Sequence, residues 1–384
     1  MQKQRSLLVF EESIQSQNTL KLYMYHLDKF MKYYIIKDYD SLLSVPDDKL
    51  QIMLEDYLFY LKKHLSPNTI PVAIAPLELF FTVNDKNLNF KKLHKMYPAP
   101  VKKTGNKAWT TQDIQNMLKN TTKKRTRTLI LFLASTGARI GTVEELKLGN
   151  LIQMPEKCKA IQFYEGTNEE YWGFLTPEAS KSLDEYLEER RKDGEKIDQS
   201  SPVFREGYKL ASLPAYNISK KMAQMLLFKC IRNSEIQRTK SGKRYDIQAA
   251  HGFRKRFNTI LKLNSSVNSN VAEKLMGHKK GLDGVYLTPT RDECFTEFQK
   301  AILDLTVDDT QRLDLKNKRL EGQLSEKDML KEEIERQRLS KDQEIESLKV
   351  MVSNLASISS VQQRKLDEIS VYVHGIQIFN SVKA

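Results

Sequence analysis

Long apolar runs are missing from this 384-residue chain. No stretch approaches the ~20 apolar residues that span a bilayer, so no membrane partner is expected. The opening MQKQRSLLVFEES lacks the longer apolar core of a secretory leader, which points to a cytoplasmic protein. Cysteine is scarce. Cys158, Cys230 and Cys294 are odd in number, widely separated and form no C-x-x-C pair, which argues against a disulfide framework or a metal site and for reduced intracellular thiols. Acidic residues are in deficit, 49 Asp and Glu against 62 Lys and Arg. That deficit is local: residues 307–384 hold 13 basic and 14 acidic side chains, and the first 306 hold 49 basic and 35 acidic. A basic body with a neutral tail suggests a polyanionic partner, against the plainer reading of a chain merely rich in lysine for solubility.

What is present reads as a mainly α chain of several domains. Residues 12–96 carry helical periodicity, as in NTLKLYMYHLDKFMKYY, where Leu20, Tyr23, Leu27, Phe30, Met31 and Tyr34 fall on one stripe. The interleaved aromatics and lysines suit a core stripe or a DNA-facing surface, and the core is the commoner use. DDKLQIMLEDYLFYLKKH is a second amphipathic helix, and SPNTIPVAIAPLELFF a third whose Pro71 and Pro76 predict a late start. YPAPVKKTGNKAWT, residues 97–110, has no periodicity and reads as a basic linker, with Lys102, Lys103 and Lys107 placed to lie over a phosphate backbone.

An α-rich domain is expected over 111–306. TRTLILFLAST is a buried helix, and GARIGTVEELKL a turn into another. KAIQFY and YWGFL form a β-hairpin around the polar EGTNEE, and helices follow at 177–191, 217–233, 253–263 and 268–276. The tail, 307–384, is dense in mixed charge. Ile345, Leu348, Val352 and Leu355 alternate by three and four as a heptad seam does, while Leu320, Leu324, Leu330 and Ile334 follow it through a stutter. A helix over 310–358 is roughly 70 Å long, either self-associating or singly solvated.

Three short elements bear chemistry. In HGFRKRFNTILKL, Phe253, Phe257, Ile260 and Leu261 share a core stripe, leaving His251 and Arg254 together near a helix N-terminus that favours an anion; Lys255 and Arg256 read as peripheral. In STGARIGTVEELKL, Arg139 follows a buried helix and a glycine turn, so it needs an anionic partner, either Glu144 or Glu145 or a phosphate. In LMGHKKGLDGVYLTP, His278 is followed by Tyr286 on a glycine-bracketed segment, where a tyrosine is an available nucleophile. Each element alone is common.

Taken in order, Arg139, a hairpin, H-x-x-R, G-H and Tyr286 resemble the tyrosine recombinase (integrase) family over about residues 12–305. GHKKGLDGVYLTPTRDE and the charged tail look most like integrases of archaeal mobile elements. The resemblance implies a helical, SAM-like core-binding DNA-binding domain at 12–96 and a catalytic domain at 111–306. It implies that Arg139 and Arg254 clamp the scissile phosphate, His251 acts as acid/base partner, His278 bonds a non-bridging oxygen, and Tyr286 attacks phosphorus. The energy stays in a 3′-phosphotyrosyl link, so neither metal nor other cofactor is expected, and four protomers would assemble on paired double-stranded DNA sites. Two positions depart from the family pattern. No lysine stands in the hairpin turn, where the family usually keeps a general acid; Lys157 and Lys159 are the nearest, and Lys159 is the candidate taken. The acidic residue often found three after the first arginine is Thr142. A topoisomerase IB-like enzyme and a decayed, multimerising DNA binder are the alternatives.

Overall fold

The computed structural model describes residues 4–101, 105–207, 215–241, 244–278 and 286–381. The chain forms two units, Met1–Thr104 and Gly105–Ala384.

The first unit is helical: α1 Arg5–Glu12, α2 Gln17–Tyr33, α3 Tyr39–Leu43, α4 Asp47–His64, α5 Ile70–Val83 and α6 Phe90–Lys95. Helix α1 begins ahead of the expected boundary at residue 12, because Phe10 is fully buried in this core. On α2, Leu27, Phe30 and Met31 are buried and Leu20, Tyr23 and Tyr34 half-buried, so the aromatic stripe is core. Asp47 and Asp48 open α4 and Lys62, Lys63 and His64 close it, each sign set against the helix dipole. The expected late start of α5 is not observed. Pro71 sits in the first turn, where its missing N–H is no loss, and Pro76 is inside the helix. Buried Ile70, Ala73, Ile74, Leu77, Phe80 and Phe81 offset the backbone bond that Pro76 forgoes.

The second unit contains α7 Thr111–Lys119, α8 Lys124–Thr136, α9 Pro177–Lys192, α10 Lys220–Asn233, α11 His251–Leu263, α12 Ser269–Leu275, α13 Arg291–Gln299, α14 Ile302–Leu305 and α15 Asp309–Ser381. A small antiparallel sheet, ordered β1-β2-β3, is built from β1 Leu151–Gln153, β2 Lys159–Phe163 and β3 Tyr171–Leu175. The fold is thus mainly α with a small sheet and a long C-terminal helix. The β2–β3 hairpin is the expected one, with Phe163 opposite Tyr171 and Lys159 opposite Leu175. Strand β1 was not expected. Its three residues are too short to show alternation. Residues Ile140–Glu144 form a 3-10 turn rather than the expected α-helix.

The start of the tail belongs to this unit. Val307 is buried in its main core, and Glu178 on α9 accepts hydrogen bonds from the backbone N–H of Val307 (2.8 Å) and Asp308 (3.2 Å). Arg256 is likewise internal, correcting its peripheral reading. It is 4% exposed and donates to the carbonyls of Leu305 and Asp304 and to Thr111 Oγ1. An arginine in a basic run looks solvated until the carbonyl ends of a distant helix arrive to cap it.

Helix α8 ends on Gly137 in the left-handed region, φ 57°. A Cβ there would lie 2.7 Å from Phe257 on α11, so conformation and space both require glycine. Gly137→Ala should therefore cost about 2–3 kcal/mol of stability and lower the melting temperature by several degrees. An unchanged thermal melt would contradict this packing.

Candidate active site

Arg139 emerges directly after the Gly137 turn and buried Ala138. Its carbonyl accepts from both the backbone N–H of Thr142 (3.0 Å) and Thr142 Oγ1 (2.9 Å), so Thr142 secures the arginine's backbone. Glu144 is not its partner. That carboxylate caps α10 by accepting from Lys220 N at 2.8 Å. The only carboxylate paired with Arg139 among the described residues is Glu169 in the hairpin turn, 3.7 Å from Nη1 and too far for a good hydrogen bond. Arg139 Nη1 is itself buried and makes no hydrogen bond.

Arg254 lies on α11, one turn past His251, and is 6% exposed. Its Nη1 donates to Gly137 O at 2.9 Å, and its Nη2 donates to Met276 O and lies 3.0 Å from His278 Nε2. None of these partners is a carboxylate. Burial is the main cause of its depressed pKa, and the nearby Arg139 charge adds to it. A buried guanidinium held by carbonyls and an imidazole, with no carboxylate, keeps its full charge available to an incoming anion.

His278 follows Gly277, whose φ of 61° turns the chain out of α12. Its Nδ1 lies 2.5 Å from Glu273 Oε2, and Glu273 also ion-pairs with Lys262. Burial works against the Glu273 carboxylate, but hydrogen bonds from Lys262 and His278 hold its pKa below the ordinary value. The tautomer follows from the partners. Arginine only donates, so Nε2 accepts from Arg254 and Nδ1 carries the proton given to Glu273.

His251 starts α11 with an exposed side chain. Partial desolvation, then the charges of Lys255 and Arg254, lower its pKa from the usual 6.5. Beneath it, Trp109 Nε1 donates to Ala249 O at 2.8 Å, and a Cβ on Gly252 would collide with the indole. Residues 105–110 are thereby fastened under α11 rather than left as a free linker. Lys255 reinforces this by donating to Gly105 O.

The remaining candidates fall outside this cluster. Lys159 is buried at the far end of β2 and pairs with Asp184 on α9 at 2.7 Å. Four residues separate it from the hairpin end, roughly 13 Å of strand. Lys157 is exposed in a 3-10 turn. Lys107 is exposed and ion-paired with Asp246 at 3.0 Å. Lys102 and Lys103 lie outside the described residues. Tyr286 is 78% exposed, turned to solvent rather than packed among the cations. Sequence reasoning missed Glu273, Glu169 and Tyr171. Glu273 precedes His278 by five residues, a spacing with no helical meaning until Gly277 reverses the chain, and the other two are met only across the hairpin.

Residues 107–282, a little under half of the chain, match the family model described as the phage integrase family. They are a phage integrase family domain. The matched segment contains Arg139, His251, Arg254 and His278. Similar solved structures include a XerA recombinase, 18% identical with 77% of this chain and 97% of that chain covered and a TM-score of 0.36. Lambda integrase residues 75–356 bound to DNA is 14% identical, covering 77% and 95%, with a TM-score of 0.47. The integrase from mycobacterium phage Brujita is 13% identical, covering 77% and 90%, with a TM-score of 0.39. No curated protein matches the chain.

Within the integrase domain the electrostatics of His251 can be measured directly. Its ring should titrate below 6.5 by NMR, and Lys255→Met should move it upward by removing a neighbouring positive charge. A wild-type value at or above 6.5 would contradict the described surroundings.

Proposed function

We propose that the chain recombines double-stranded DNA of a mobile element through a 3′-phosphotyrosyl intermediate, with Arg139, Arg254, His251 and His278 around the scissile phosphate and Tyr286 as nucleophile. The observation that carries this assignment is buried Arg254 beside half-buried Arg139, whose Nη1 is itself shielded from solvent. Arg139 Nη1 has no hydrogen bond and Arg254 has no carboxylate, yet α8 and α11 bring both to one turn at Gly137. Donors kept charged and unneutralised in a protected site are suited to the equatorial oxygens of a phosphoryl group in transition.

In the step itself, Tyr286 Oη forms a bond to phosphorus as the bond to the 5′-oxygen breaks. The phenol proton is taken up by a base, for which neutral His251 is the group at hand, and the departing 5′-oxygen must gain a proton. Attack by a 5′-hydroxyl on the phosphotyrosine reverses the sequence, and a hydroxyl from a partner duplex gives strand exchange. Since Arg254 occupies His278 Nε2 in the free protein, donation by His278 to a phosphate oxygen requires that contact to open and the ring to carry a second proton. Glu273 at Nδ1 is placed to stabilise that imidazolium. Lys159 acts as general acid in this scheme only if it leaves Asp184, and the hairpin turn itself, residues 164–170, contains no lysine.

The family reading extends to four protomers on paired DNA sites in the cytoplasm, and the GHKKGLDGVYLTPTRDE segment to an archaeal element. The tail then serves assembly. Leu348, Val352, Leu355, Leu366 and Ile369 lie exposed along α15 at heptad spacing, the pattern of a helix that pairs with a second copy.

Two experiments test this reading. On a nicked suicide duplex, wild type should form a protease-sensitive covalent DNA adduct, and Tyr286→Phe should form none while binding the same duplex. Salt-dependent binding without an adduct from wild type would select the decayed binder, and relaxation of supercoils without recombinant product the topoisomerase-like alternative. A chain ending at Glu321, which keeps Val307 and the Glu178 contacts, should cleave at the wild-type rate and lose at least tenfold in synapsis. Undiminished recombination by that truncation would reject an assembly role for the tail.

A further inference from the structure

The Tyr171 hydroxyl is buried and makes no hydrogen bond. The residue opens β3, opposite Phe163, on which its ring is stacked at 4.9 Å and 29°. On its other side the ring lies against Gly277, where a Cβ would approach it to 2.7 Å. The ring is therefore held between the hairpin and the turn that presents His278, with 7% of the residue exposed. Phenylalanine would fill the same space without leaving a polar atom unpaired, so burial of an unused hydroxyl here needs a reason.

The neighbours supply one. The hydroxyl lies within electrostatic reach of the Arg254 and Arg139 guanidinium groups. Both are donor-only, so neither can accept the phenolic hydrogen. The Tyr164 ring, 6.2 Å away between centroids, gives it no hydrogen bond either. The phenol oxygen can accept from Arg254, but the phenol hydrogen has no acceptor in either guanidinium, so that hydrogen and the arginine N–H groups are left as donors.

Resting on the reading of this cluster as the scissile-phosphate site, we propose that Tyr171 is a further donor to the transition state, its hydroxyl hydrogen-bonding a non-bridging phosphoryl oxygen between Arg139 and Arg254. No proton is transferred: the hydroxyl donates a hydrogen bond and stays a phenol throughout. Burial above all pushes its pKa up to about 12, although the two arginines oppose this, so the group remains a donor across any working pH. Its contribution comes from rigidity, because stacking on Phe163 and contact with Gly277 set the hydroxyl before DNA arrives.

Tyr171→Phe in the full chain keeps the stacking and removes only the hydroxyl. The probe is a nicked suicide duplex carrying a cleavage sequence selected with wild-type chain from random DNA. The variant should bind this duplex within about twofold of wild type and melt at or above the wild-type temperature, while its single-turnover cleavage falls about 10- to 100-fold. Replacing each non-bridging oxygen in turn by methyl at the scissile phosphorus should abolish the difference between wild type and variant for one stereoisomer only. Cleavage by the variant within twofold of wild type, or an undiminished deficit with both stereoisomers, would overturn the proposal while leaving the recombinase reading intact. Absence of any adduct from wild type would instead sink that reading, and this inference with it.

Discussion

The burial of Arg254 without a carboxylate is the constraint on which the rest of the second unit depends. A guanidinium removed from water must spend its donors, and here two of them go to the carbonyls of Gly137 and Met276. Those carbonyls sit where α8 and α12 end, the two places at which helix carbonyls lack partners along their own chain. One side chain thus satisfies two helix ends, and in doing so fixes Arg139, which follows Gly137, and His278, which follows Gly277, on either side of itself. The same glycines are needed for backbone reasons, each with positive φ and each with an aromatic ring where its Cβ would be.

The supports around this centre are polar or aromatic and come from far along the chain. Trp109 lies under the first turn of α11, and Arg256 on the same helix caps the carbonyls of Asp304 and Leu305. Glu273 holds His278, and Thr142 holds the backbone of Arg139. Helix α11 therefore acts as a spine. Its apolar stripe of Phe253, Phe257 and Leu261 faces two cores, while its cations reach separate segments. The tail is joined to this arrangement at its root by Val307 and Glu178, so the boundary between body and tail lies within α15, past residue 307.

Acidic groups near the cluster are kept off Arg139 and Arg254. Glu144 caps α10, Asp184 takes Lys159 at the distant end of β2, and Glu273 is shared by Lys262 and His278. Among the described residues only Glu169 ion-pairs with Arg139, and its 3.7 Å separation leaves the guanidinium open to a better-placed anion. The proposed phosphodiester site needs cations that no resident carboxylate has already neutralised, and carboxylates distributed elsewhere are compatible with that need.

Much was legible in order along the chain. Residue identities and periodicity determined the helices, the β2–β3 hairpin, the glycine turns and the sequence of Arg139, His251, Arg254 and His278, because each depends on neighbours within a few residues. Local pattern failed where the deciding partner was distant. Pro76 inside α5 is tolerated by a core that periodicity cannot weigh, and β1 is too short to alternate. Arg256 looked peripheral beside Lys255, yet it meets carbonyls 48 and 49 residues away. Lys159 looked available near a hairpin, yet strand length carries it away from the turn and Asp184 holds it there. The sequence by itself determined which cationic and imidazole groups are available to the proposed phosphate site. Only the tertiary structure decided which of them are left unpaired there, because burial and hydrogen-bond satisfaction are properties of the packed neighbours and not of the residue.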